Sequence, residues 1–373
     1  MAKIEPYESS LAWKPETIRK DTSWVTHLSD ENTKELKEAL AFFKAWVKSN
    51  GKQDEVDSGV LYPCQENFPL PVFGNKLAQT RHNLEHAYGI ALFKGFPQDV
   101  SEQDAKIMFG GLVAYVGTLM PQTVNRELLQ PVQDEGQAKL DERRGSKHNM
   151  GLPIHNDGCD VVGFLCRRTP LRGGATILVS AAAVHNRMLE EHPELVTELY
   201  QPFYHSWQDY QYPGGINDEQ ASQAYNLSRT WCAPIFSREQ GKLCVRYSRF
   251  YTDRAQTYDN IPRLTERQIE ALDTFDRYIN DQDSWQFRRD FGKGDILFVN
   301  NHELFHSRTE FVNGENIEEC RQLYRAWIAV PNSRPLSSSM ACFFGNTAAG
   351  SLRGGVKEEF IAIAQAQAQK RAC

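Results

Sequence analysis

Leu152–Cys166, LPIHNDGCDVVGFLC, decides how this chain is read. It places His155-x-Asp157 ahead of a β-branched run, and His306, Arg321 and Arg325 follow far downstream. Two imidazoles and one carboxylate are the ligand set of a mononuclear non-haem Fe(II) site that keeps positions open for a co-substrate and oxygen. Read as a strand, the stretch points residues two apart the same way, about 6 to 7 Å from one another, so one ion takes both side chains. On a helix the same spacing would turn them to nearly opposite sides.

From Leu152 onward the sequence runs in short apolar or alternating stretches between turn signals: DVVGFLC, GGATILVSA, KLCVRYSRFY, GDILFV and RQLYRAWIAV. That rhythm predicts an antiparallel barrel or sandwich. Two amphipathic helical stretches, residues 182–200 and 265–282, interrupt it and are expected to cover the sheets from outside. Upstream, Asp30 and Asn32 precede a helical run that ends at Gly51; a Pro- and Gly-rich loop, residues 51–75, leads to a second helix at 77–88. GIALFKGF reads as a short strand, and Ser101 with Asp104 forms an N-terminal box for a third helix. Residues 130–150 are polar and aperiodic, the signature of a long surface loop placed as a lid beside the HxD segment. GNTAAGSLRGG near the C-terminus lacks the GxGxxG spacing and reads as a flexible loop before a last helix.

The 373 residues, 40% hydrophobic, suffice for a sizeable core. A formal charge of -6 argues against general affinity for nucleic acid or an anionic membrane and favours a small-molecule partner. Eight cysteines show no CxxC pair, the start of the chain lacks the apolar core of a signal peptide, and no run of eighteen apolar residues occurs. A reducing, cytoplasmic address is therefore expected. The exposed amphipathic helices permit a homodimer without demanding one.

His306 follows the strand GDILFV, and Asn313-Gly314 is a hairpin signal before RQLYRAWIAV. A turn centred there sets His306 opposite Arg321; a turn two residues later sets it opposite Arg325. Arg321, Leu323, Arg325 and Trp327 share one face of their strand. Two guanidinium groups on an inward face need anions, which a dicarboxylate at the metal would supply. Competing assignments are His302 for His306, Asp160 for Asp157, and pairing of Arg321 and Arg325 with Glu318 and Glu319 at the surface. On the strand 242–251, Tyr247 and Arg249 are expected on one face and Arg246 on the other; His148 and the ERRGSK run read as solvated loop.

These residues resemble the Fe(II)/2-oxoglutarate dioxygenases of the taurine-dioxygenase-like (TauD/TfdA) superfamily. The resemblance rests on LPIHNDGCDVVGFLC, GGATILVS, KLCVRYSRFY, GDILFVNNHELFHSRTEF and RQLYRAWIAVP, roughly residues 150 to 332, with weaker agreement at GIALFKGF. It implies a mainly β fold with flanking helices around a double-stranded β-helix (jelly roll, cupin-like) core, in which His155, Asp157 and His306 hold Fe(II). Arg321 would pair with the C5 carboxylate of 2-oxoglutarate and Thr176 would hydrogen-bond it. Arg325 stands where related enzymes place a second arginine, near the substrate or the C1 carboxylate. One oxygenase domain, 1–373, follows: helices and a strand to 130, the lid loop 130–150, the jelly roll 151–332, and a C-terminal loop and helix 333–373. The implied reaction uses O2, releases succinate and CO2, and oxidises a C–H bond of a small molecule such as an amino acid or a specialised-metabolism intermediate, by hydroxylation, desaturation or ring formation. The alternatives are a non-catalytic metal-binding cupin-like protein and a Zn(II) hydrolase built on the same triad.

Overall fold

The structure, a computed structural model, describes residues 4–136, 147–208, 211–213 and 228–372. Its strands in chain order are β1 Val25–His27, β2 Ile90–Lys94, β3 Thr118–Met120, β4 Leu129–Gln133, β5 Val161–Arg168, β6 Arg172–Gly173, β7 Thr176–Ser180 and β8 Pro202–Ser206. There follow β9 Thr230–Pro234, β10 Phe236–Glu239, β11 Lys242–Val245, β12 Gln286–Arg289, β13 Ile296–Asn300, β14 Leu304–Arg308, β15 Phe311–Val312 and β16 Gln322–Ala329. A seven-stranded sheet runs β1-β2-β13-β5-β16-β3, with β4 also on β16, and a three-stranded sheet runs β12-β7-β14. The pairs β15-β6, β8-β9 and β10-β11 complete the ladders.

Strand alternation sorts the side chains into layers. In β5, Val161 and Leu165 join the outer core of the large sheet, while Val162, Phe164 and Cys166 point inward toward the small sheet. β13 and β16 repeat the pattern: Phe298, Tyr324 and Ile328 lie outside, and Leu297, Val299, Leu323 and Trp327 lie inside. Against the outer face pack the helices Asp30–Asn50, Phe73–His86 and Glu102–Val116, through Phe43, Leu77 and Phe109 among others. The small sheet does the same on its far side, where Val179 and Phe305 meet helices Ala181–Glu191 and Glu266–Asn280. Each fully buried side chain of this size contributes about 1.5 to 3 kcal/mol, so two sheets and two helical layers are held by three stacked apolar cores. Among the described residues no helix is long and apolar enough to cross a membrane.

Several sequence expectations are corrected here. The HxD segment is not strand: β5 begins only at Val161, and His155 enters the sheets through one isolated bridge to His306. Asn313-Gly314 does not close a hairpin between β14 and β16, because β14 pairs with β7 and β16 with β5. The chain passes instead from one sheet to the other through β15, whose partner is β6. The segment KLCVRYSRFY is strand only to Val245 and becomes helix at Arg249–Ala255. The helix begun at Asp30 is capped by Ser29, whose hydroxyl takes the Asn32 N–H while the Asn32 side chain returns to the Ser29 N–H. Of the expected lid, residues 130–133 belong to β4, paired with β16, and 137–146 lie outside the described residues.

The glycines of the C-terminal loop are not spacers either. Gly354, at φ 78°, packs so closely on the HxD turn that a Cβ there would sit 2.5 Å from the Gly158 carbonyl oxygen. The Gly355 N–H then donates to that same oxygen at 2.7 Å. Only glycine permits both the left-handed backbone and the approach.

Candidate active site

β14 carries His306 on the inward face it shares with Leu304, because Phe305 is claimed by the outer core. His155 reaches it through reciprocal backbone hydrogen bonds, His306 N–H to the His155 carbonyl at 2.9 Å and the reverse at 3.2 Å. The two rings then lie 4.6 Å apart between centroids. Asp157, two residues on, brings its carboxylate to 3.9 Å from His155 Nε2 and 3.6 Å from His306 Nε2. One ligand atom from each of His155, Asp157 and His306 falls within 4.8 Å of the others. His302, the competitor for His306, instead bonds Asp160 at 2.8 Å, and Asp160 also holds Arg353, so neither reaches the cluster.

The electrostatics prepare all three groups. Pro153 accepts a hydrogen bond from His155 Nδ1 at 2.8 Å, which leaves Nε2 with its lone pair toward the cluster. Burial lowers the pKa of both imidazoles, that of His306 to about 3, so they are neutral and competent as ligands at pH 7. Burial raises the Asp157 carboxyl, but the Arg325 guanidinium, 3.2 Å away, opposes it most strongly and the outcome is a pKa of about 2.

Arg325 is itself held in place, its Nε donating to Gln122 at 2.8 Å and Nη2 to Gln130 at 3.2 Å. Arg321 is different. It is 4% exposed, its Nη1 has no hydrogen-bond partner among the described residues, and burial lowers its pKa to about 10. The surface pairing with Glu318 and Glu319 is therefore not what the fold provides: Glu318 pairs with Lys293. Both arginines line one cavity with His155, His306 and Thr176. A third guanidinium, Arg308, which the sequence did not single out, lies in the same wall and donates to the His148 and Asn149 carbonyls. Its inward alternation with His306 was the available signal.

Sequence reasoning also missed what holds the ligands. Asn156, between the two HxD ligands, takes the Tyr247 N–H at 2.9 Å and donates to the Val245 carbonyl at 2.6 Å. Arg246 donates to Asn156 and stacks on Phe343, with 4.4 Å from guanidinium carbon to ring centroid. Tyr247 and Arg249 turn the other way and share Asp276.

This donor set fits Fe(II), and a buried cation without an anion, beside the triad and with Thr176 in the same wall, fits the distal carboxylate of 2-oxoglutarate. Two facing sheets around such a site are the layout of a non-haem iron oxygenase. Residues 58–327 match the family described as Taurine catabolism dioxygenase TauD, TfdA family. The chain belongs to that family, and is an Fe(II)- and 2-oxoglutarate-dependent oxygenase that consumes O2.

Among curated proteins it is 26% identical over 280 residues to FR-33289 synthase of Streptomyces rubellomurinus, covering 73% of this chain and 78% of that protein. It is 25% identical over 321 residues to a taurine hydroxylase-like protein of Stachybotrys chartarum, covering 81% and 74%. Among solved structures, the non-haem iron oxygenase OrfP, in complex with Fe, succinate and (3R,4R)-dihydroxy-L-Arg, superposes with a TM-score of 0.60 at 15% identity, over 84% of this chain and 98% of that one. Asparagine oxygenase in complex with Fe(II), 2S,3S-3-hydroxyasparagine and succinate gives 0.58 at 16% identity, over 82% and 93%.

Proposed function

We propose that this oxygenase binds iron through His155, Asp157 and His306, anchors the C5 carboxylate of 2-oxoglutarate on Arg321 and Thr176, and oxidises a C–H bond of a small polar metabolite. The carrying observation is the convergence of three ligand atoms within 4.8 Å beside a cavity whose wall contains the Arg321 guanidinium, buried and with Nη1 unpaired. The two packed sheets are read as the double-stranded β-helix, with residues 1–373 as one domain around it. An amino acid is the favoured substrate class, supported by the hydroxylated asparagine and arginine bound to the similarly folded oxygenases. A specialised-metabolism intermediate is the other candidate substrate, supported by likeness to a synthase.

Iron with its co-substrate supplies the oxidation: 2-oxoglutarate gives succinate and CO2 as O2 is consumed and the C–H bond is oxidised. The chain supplies aim and protection. Arg325 keeps Asp157 ionised, and Pro153 sets the His155 tautomer. Phe164, Leu323 and Leu152 wall the cavity with apolar surface that keeps bulk water from the reacting groups. Orientation of the substrate then selects which bond reacts.

Anaerobic addition of Fe(II) and 2-oxoglutarate should give a weak visible charge-transfer band, and His306→Ala should abolish it. Succinate release across a panel of amino acids should single out the substrate. A non-catalytic metal protein would bind the ion but release no succinate with any substrate, and it leaves the buried Arg321 unexplained.

A further inference from the structure

Asp157 has to aim its carboxylate without the help of a strand, since the ladder of β5 starts four residues later and the one bridge in the segment is at His155. The side chain of Asn301 fills this role for the backbone. Its Oδ1 accepts the Asp157 N–H at 2.9 Å, and its Nδ2 donates both to the Asp157 carbonyl and, at 2.9 Å, to the Cys159 carbonyl. The Asn301 main chain is engaged as well: its N–H reaches the Asp160 carbonyl at 2.9 Å, and its carbonyl takes the Asn156 amide at 3.0 Å. These partners settle the amide orientation, because an N–H needs the oxygen and two carbonyls need the nitrogen. Asn301 is 1% exposed, so bulk water is a poor substitute for these bonds.

The position of Asn301 matters as much as its bonds. It lies in the short turn between β13 and β14, five residues before His306. One segment therefore presents the third ligand and also fixes the second, which lies about 150 residues away in sequence. Resting on the ligand assignment above, we propose that Asn301 is a positioning residue for the iron-binding carboxylate: its amide sets the backbone of Asp157 relative to His306, and so sets the affinity of the site for metal.

Asn300 gives an internal control. It is buried at the end of β13, beside that turn, but its amide serves the Leu84 carbonyl and Glu85, and its oxygen takes the His302 N–H, away from Asp157. Asn301→Ala removes the clamp, and Asn301→Asp keeps size and the acceptor for the Asp157 N–H while losing the two donors.

The test is anaerobic titration of the metal-free full chain with Co(II), read from its visible absorption, together with the 2-oxoglutarate half-saturation at saturating metal. Loss of a hydrogen-bond partner behind a ligand weakens metal binding by about 10- to 100-fold. That loss is expected in both Asn301 variants, with 2-oxoglutarate half-saturation changed less than about threefold because Arg321 is untouched. Asn300→Ala should lower the melting temperature yet bind Co(II) as the parent does. Parent-like Co(II) affinity in Asn301→Asp, or an equal loss in Asn300→Ala, overturns the positioning role while leaving the ligand assignment intact. Co(II) affinity that His306→Ala leaves unchanged overturns the ligand assignment and this proposal with it.

Discussion

Arg321, just ahead of β16, and Arg325, within it, line one cavity but do not share an environment. Arg325 spends its donors on Asp157, Gln122 and Gln130, whereas Arg321 keeps Nη1 unpaired among the described residues. A charge-assisted bond to a carboxylate is worth about 1.5 to 3 kcal/mol, so Arg321→Met should raise the 2-oxoglutarate half-saturation by about 10- to 150-fold. The same change removes a buried cation, and urea unfolding of the metal-free protein should show no loss of stability. Arg325→Met is expected to behave in the opposite way. It strands the Asp157 carboxylate, 1% exposed, and should cost the metal-free protein about 3 to 5 kcal/mol, recovered in part when Co(II) takes over as the counter-charge. A variant equally stable with and without metal would contradict this account of Asp157.

At the scale of elements, the C-terminal loop acts on the site through backbone contact. Gly354→Ala puts a Cβ 2.5 Å from the Gly158 carbonyl at a φ of 78°, next to the residue that follows Asp157. Strain of this kind costs about 1 to 3 kcal/mol. The expected result is a lower melting temperature together with weaker Co(II) binding, while Gly345→Ala, also at positive φ but with nothing within 4 Å, should affect stability alone. The loop's role was illegible in sequence because glycine spacing records freedom of the backbone and not the neighbour that requires it. The hairpin expectation failed for a related reason: Asn-Gly specifies a turn locally, but which ladders β14 and β16 join is decided by the cores on either side of each sheet.

Across the whole molecule, buried polar groups tie distant parts of the chain together. Arg334, with no exposed side-chain surface, pairs with Glu85 at 3.0 Å and with Glu303, and Glu303 also receives the Tyr7 hydroxyl at 2.7 Å. Arg334→Ala leaves Glu303 without its cation and Glu85 with only the more distant Lys242 at 3.8 Å, and chemical denaturation should show a loss of about 3 to 5 kcal/mol. Acid sensitivity follows from buried imidazoles. Burial lowers His185 to about 4 and His205 to about 3, as it does His306. Below the ordinary imidazole value the unfolded chain takes up protons that the folded chain refuses, so stability present above about pH 6.5 is lost as pH falls toward 4. Melting temperatures of the metal-free protein at pH 7.5, 6 and 5 should descend, and His306→Ala should keep most of the trend because His185 and His205 remain; a flat profile would mean these imidazoles are hydrated.

What could be read from the sequence alone was the set of candidate site residues, His155, Asp157, His306, Arg321 and Arg325, and the helices that cover the sheets. Those features follow from local periodicity and residue chemistry, which a single chain displays openly. Tertiary structure decided that His155 and His306 bridge, that Asp157 hangs from Asn301 and Arg325 outside any strand, and that glycines of the C-terminal loop press on that turn. Each of these joins residues more than a hundred positions apart, and such contacts are chosen by which apolar faces bury together and which buried polar groups find partners.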